Sequence, residues 1–249
     1  MEDAIEALGA DRAELLSICA GLDAAAWAAP SGCPGWSVKD VVAHVGALFW
    51  AVVDPATLPD TSGQPTEAAQ EVLVGSRRSL TAEQVLDDYA TVSEKALTAI
   101  AGLAGADFEV PLGDLGTYQA RILPTAFCFD HYTHIRADLF APRGPLTGPP
   151  PPSDELRLAP ALVWIEAALP QQNAAILERV AGSADIVITG TAARTIRVGD
   201  PAGPASALVR SSGDACVRWI TQRGSWEDLG VHAEGDPRVL SALRELKVF

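Results

Sequence analysis

With 249 residues, 48% of them apolar and 20% charged, the chain can bury a substantial core in one large domain or two smaller ones, which excludes a disordered polymer. Thirty-two acidic against eighteen basic residues give a net charge of −14, a surface that repels phosphate backbones and anionic lipid, so neither nucleic acid nor a membrane is expected as a partner. The four cysteines (Cys19, Cys33, Cys128, Cys216) form no Cys-x-x-Cys pair, the start Met1–Glu6 is acidic, and no apolar run reaches the roughly 18 residues of a membrane span; a cytoplasmic protein without a disulfide framework is expected.

In chain order, Ile5, Leu8, Leu15, Cys19 and Leu22 recur at steps of three, four and seven, which predicts a helix over about residues 2–27. Ser37 and Asp40 have capping-box spacing before Val41, Val42, Val45 and Leu48. Thr81 and Gln84 repeat that spacing before Leu86, Tyr89, Val92, Ala96, Leu97 and Ile100, a helix expected to end at Gly102. Pro124 fits the first turn of a fourth helix that carries Phe127 through Phe140. Four helices with one long connection, about residues 52–80, predict a four-helix bundle.

Six of the eighteen prolines then fall in Pro142–Ser153, which can be neither helix interior nor central strand. This predicts a linker over 142–153 between a domain at 1–145 and another at 154–249. Beyond it, a helix is expected over Leu158–Val180, kinked or split at Pro170. Strands follow at Ile186–Gly190, Thr195–Asp200 and Ala205–Arg210, then a helix at Gly213–Arg223, a strand at Leu229–Glu234 and a closing helix at Pro237–Lys247. The fold class read from this pattern is α+β: a helical bundle followed by a small mixed α/β domain.

Three of the four histidines lie in the two capped or proline-headed helices around Ser37 and Pro124. Asp130 and His134 are four residues apart and therefore share one helix face. With His44 from a separate helix they can form a three-ligand site for a divalent ion, open to further ligands. A carboxylate in an otherwise apolar helix needs a partner, because an unpaired buried charge is costly. His131 competes with Asp130 as a ligand from spacing alone. Asp130 is favoured because Asp138 then falls on the same line, where it could orient His134.

The segment Trp27-x-x-Pro30-Ser31-x-Cys33-Pro34-Gly35-Trp36-Ser37-Val38-Lys39-Asp40-Val41-Val42-Ala43-His44-Val45 resembles the N-terminal signature of the mycothiol-dependent maleylpyruvate isomerase family, actinobacterial proteins with a DinB-like metal-binding bundle. Asp130-x-x-x-His134-x-x-x-Asp138-Leu139 is similar to that family's acid-x-x-x-His helix. Arg218–Gly224 and Val231–Asp236 resemble its small, sterol-carrier-like C-terminal domain. The resemblance implies His44, Asp130 and His134 as metal ligands, zinc as the metal, and mycothiol as thiol cosubstrate. Asp130 stands where members often carry Glu; one methylene shorter, it calls either for a closer approach of its helix or for a different metal preference.

The resemblance further implies an enzyme that isomerises, or transfers sulfur to, a small carboxylate-bearing substrate. The thiol would add to a double bond, permit rotation and leave. Arg223 is the candidate catalytic residue for holding a substrate carboxylate, sharing a predicted helix face with Trp219 four residues before it. The alternative, from a different class, is a non-catalytic metal-binding or small-ligand-binding protein on the same scaffold. Cys33 reads as a buried free thiol and Pro34-Gly35-Trp36 as a structural turn at the helix entry. The expected assembly is a monomer or a homodimer.

Overall fold

A helix begins most readily where a side-chain oxygen can accept from the amides of its first turn. In the computed structural model, which describes residues 2–180, 182–200 and 202–249, that rule sets several of the boundaries. Helix α1 (Glu2–Ala20) stops short of the expected 2–27 because Asp23 accepts from the Ala26 amide and starts a separate short helix, α2 (Ala24–Ala28). Helix α3 (Val38–Val53) opens on the capping box read from the sequence: Ser37 Oγ accepts from the Asp40 amide and the Asp40 carboxylate from the Ser37 amide.

The expected connection over 52–80 holds a helix of its own, α4 (Thr66–Gly75). Only Leu73 and Val74 of it are buried, too few apolar positions for a helical period to stand out. Helix α5 (Ala82–Ala101) starts at the Thr81–Gln84 box. A hairpin of β1 (Glu109–Pro111) and β2 (Thr117–Gln119) follows; three-residue strands carry no legible alternation. Helix α6 (Leu123–Thr133) has Pro124 in its first turn, then widens at His134–Leu139 into a π-turn instead of running on to Phe140.

Two compact units result, Met1–Pro152 and Ser153–Phe249, divided at the end of the proline-rich stretch. In the first, α1, α3, α5 and α6 form the four-helix bundle. Its core is built by Leu8 and Leu15, by Val41, Val42, Val45 and Phe49, by Val85, Tyr89, Val92 and Ile100, and by Phe129 and Tyr132. Each such side chain contributes about 1.5–3 kcal/mol by leaving water. Ten of the sixteen residues of α3 are buried, so this helix is central, and polar groups on it are removed from solvent.

In the second unit, Asp154 caps α7 (Glu155–Gln172) by accepting from the Arg157 amide. Pro170 does not split this helix, which runs on to Gln172: it lies in the last turn on an exposed face, where the carbonyl it leaves unbonded belongs to exposed Glu166. Helix α8 (Ala174–Leu177) follows. Strands β3 (Ser183–Thr189), β4 (Arg194–Gly199), β5 (Ala205–Ser212) and β6 (His232–Gly235) make one sheet in the order β4-β3-β5-β6. Strand β3 is antiparallel to β4, with Ile186 opposite Ile196, and parallel to β5; β5 and β6 are antiparallel. Helices α9 (Gly213–Ile220) and α10 (Pro237–Arg244) each end three residues before their expected limits. Among the described residues no helix is long and apolar enough to cross a membrane.

Candidate metal centre

The buried helix α3 brings His44, 5% exposed, to the face of α6 that carries Asp130 and to the first residue of the π-turn, His134, 8% exposed. The Oδ1 atom of Asp130 lies 3.2 Å from His44 Nε2 and 3.4 Å from His134 Nε2. Donors held at about 2.0–2.1 Å around a tetrahedral ion stand about 3.3 Å apart, so these two separations have room for a shared ion. The two imidazole rings meet edge to face, with centroids 4.9 Å apart and planes at 74°.

Two atoms of the cluster, Asp130 Oδ2 and His44 Nδ1, are buried without a hydrogen-bond partner. A buried carboxylate oxygen left this way is costly unless a cation takes it up. Electrostatics point the same way. Burial pushes the Asp130 carboxyl up, but the His44 and His134 rings beside it outweigh burial and hold it well below the usual carboxylate range. Burial pulls His134 down, yet the Asp130 charge, followed by hydrogen bonds that the ring donates to Asp130 and Asp138, raises it well above an ordinary histidine. The site therefore favours positive charge beside Asp130. The donor set of two imidazoles and a carboxylate fits a divalent ion such as zinc.

His131, the competing ligand, is turned elsewhere. Its Nδ1 lies 3.0 Å from the Phe127 carbonyl and so carries the proton, and its Nε2 accepts from the Tyr89 hydroxyl at 3.1 Å. Asp138 is wholly buried, with Oδ2 at 2.8 Å from His134 Nδ1. It stands behind the ring, not in place of Asp130. Arg136, six residues after Asp130, pairs with Asp11 of α1 at 2.8 Å.

Two neighbours were not read from the sequence as part of this site. Cys33 is half-buried, not buried as expected, and its Sγ lies 3.6 Å from His134 Nδ1. Trp36 packs beside His44 with ring centroids 5.1 Å apart, and its Nε1–H donates to Glu71 of α4 at 2.9 Å. Both sit on one turn: Pro34 and Gly35, the latter at φ +81°, form its centre, and the Trp36 amide donates to the Cys33 carbonyl. Pro followed by Gly with positive φ is the type II turn signature, legible in Cys33-Pro34-Gly35-Trp36. The direction in which the turn points its side chains is set by tertiary contacts.

In the second unit, Arg223 and Trp219 do not share a helix face as expected. Helix α9 ends at Ile220; Gln222 takes φ +59°, and the Arg223 amide closes back on the Arg218 carbonyl. This is a Schellman-type stop, made by Gln in a position that glycine usually fills. Arg223 is therefore a half-buried turn residue whose guanidinium donates to the Thr221 carbonyl. His232 is exposed on β6.

The family model for the mycothiol maleylpyruvate isomerase N-terminal domain matches residues 8–140, a span that holds His44, Asp130 and His134. No curated protein matches the chain in sequence. Among solved structures, the chain is similar to the mycothiol-dependent maleylpyruvate isomerase at a TM-score of 0.61 and 15% identity, over 94% of this chain and 93% of that one. A histidine-to-alanine mutant of that enzyme aligns with the same TM-score and coverage at 14% identity. Likeness at this level of identity shows a shared fold.

Proposed function

Because the chain belongs to the family of the mycothiol maleylpyruvate isomerase N-terminal domain, we propose that it is a divalent-metal-dependent enzyme that uses mycothiol for isomerisation or S-transfer on a small carboxylate-bearing substrate. The observation that carries this reading is the convergence of His44, Asp130 and His134, whose donor atoms lie within 4.8 Å of one another. These three residues would hold the ion, with zinc proposed first. A divalent ion there would lower the pKa of a bound thiol and so supply a nucleophile near neutral pH.

The protein's own groups have separate tasks. Asp130 neutralises charge between two rings, and Trp36 forms an apolar wall beside His44. Addition of a thiol sulfur to a substrate double bond creates a single bond about which the substrate can rotate. Elimination then returns the thiol, so the thiol is regenerated. A substrate carboxylate calls for a fixed cation, and Arg223 is proposed for it because a guanidinium can bind a carboxylate in two-point fashion.

The test is turnover of maleylpyruvate, and of thiol acceptors, with mycothiol as cosubstrate, beside elemental analysis of untagged protein. The expected result is about one divalent ion per chain and activity that His44→Ala or chelation lowers by at least about 100-fold, the order of effect that removing a metal-linked nucleophile produces. Metal without turnover on any substrate would favour the non-catalytic alternative; no metal would overturn the reading.

A further inference from the structure

Two donor sets share the His134 ring. Asp130 and His44 face its Nε2 edge; Cys33 and Asp138 face its Nδ1 edge. Only one can be the ligand set, because a histidine normally offers one lone pair and keeps one N–H. Distances decide between them. On the Nε2 edge, 3.4 Å to Asp130 Oδ1 is the spacing of two ligands on one ion. On the Nδ1 edge, 2.8 Å to Asp138 Oδ2 is the length of a charge-assisted N–H···O bond, too short for two ligands on one ion. A carboxylate only accepts, so the proton sits on Nδ1.

We propose that Asp138 is the positioning residue of this centre: it keeps the proton on Nδ1 of His134 and turns Nε2 toward Asp130 and His44. The proposal rests on the metal-binding reading above. Asp138 is suited to the role because it is itself held. It is wholly buried, and its backbone carbonyl accepts from the Gly32 amide at 2.7 Å. Arg143 Nε lies 3.7 Å from Asp138 Oδ1, and the same guanidinium donates to the Gly32 carbonyl. The turn that carries Cys33 and Trp36 is thereby latched to the residue behind His134. A partner that fixes the far nitrogen of a ligating histidine raises its basicity and removes rotational freedom, and losing such a partner typically weakens metal binding about 10–100-fold.

The test compares wild type with Asp138→Ala and the isosteric Asp138→Asn. Zinc affinity is read by competition with a chromophoric chelator. The Nδ1–H of His134 is read by NMR of histidine-¹⁵N-labelled protein, metal-free and zinc-loaded. Wild type should show a low-field, slowly exchanging Nδ1–H in both states. Asp138→Ala should lose that resonance and bind zinc about 10–100-fold more weakly. Asp138→Asn, whose amide oxygen still accepts, should keep the resonance and bind zinc more weakly than wild type. If the alanine variant does not fold, the asparagine variant decides. Unchanged zinc affinity in the folded variants, or zinc on Nδ1 in wild type, overturns the proposal. Wild type that binds no zinc would overturn the metal reading, and the metal-free Nδ1–H resonance would still test Asp138.

Discussion

His131 and His134 are three residues apart, and the surrounding chain pushes them in opposite directions. His131 is buried against Tyr89, and burial lowers its pKa below the ordinary 6.5. The native state then binds fewer protons than the unfolded one, so stability is full above pH 6.5 and falls as pH drops below it. His134 is raised, so its contribution is full below pH 6.5 and is lost as pH rises through its higher native value. Urea unfolding of metal-free protein between about pH 5 and 9 should show both limbs, each group adding a slope of at most about 1.4 kcal/mol per pH unit. His131→Gln should flatten the acid limb alone and His134→Gln the alkaline limb alone. A single slope shared by both variants would contradict these assignments.

Elements differ in how locally they are specified. The boxes at Ser37–Asp40 and Thr81–Gln84 are closed within four residues, and both stand where the sequence places them. The turn at Ser31–Trp36 depends on a distant element. A Cβ on Gly32 would lie 2.8 Å from Asp138 Oδ1 and 2.9 Å from Asp138 Cα, against the π-turn. Gly32→Ala should therefore push this turn away from His134, with a stability loss of about 1–3 kcal/mol, the usual cost of overpacking. Chemical unfolding measures the loss, and the fluorescence of Trp36 should shift as its ring leaves His44. An alanine variant as stable as wild type would show that the turn can move without strain. The π-turn itself has no short-range signature; such bulges come from packing and often lie at functional sites.

At the scale of the first unit, one ion pair joins its beginning to its end. The Arg136 guanidinium, 1% exposed, donates to Asp11 of α1 at 2.8 Å and to the Pro152 carbonyl at 2.9 Å, and lies 4.2 Å from the centre of the Tyr132 ring. Arg136→Met removes the charge partner of a buried aspartate, and breaking such a pair from one side costs about 3–5 kcal/mol. Adding Asp11→Leu should recover part of that loss, since an apolar pair leaves no stranded charge. Denaturant midpoints of the single and double variants read the coupling; strict additivity would mean that the pair does not act as a unit.

Patterns that close within a few residues were legible in the amino-acid order: the two capping boxes, Pro124 in a first turn, the α+β class, and an acid and an imidazole on one helical face. His44, Asp130 and His134 could be named as a candidate set from spacing and the resemblance alone. Only the folded chain decided that Cys33 and Trp36 border that set, that His131 turns to Tyr89, that α9 stops before Arg223, and that Asp138 is anchored by Gly32 and Arg143. The physical reason is range. Caps and face-sharing are fixed by backbone geometry over one turn, whereas the direction of a side chain across about a hundred residues of sequence depends on which helices pack together.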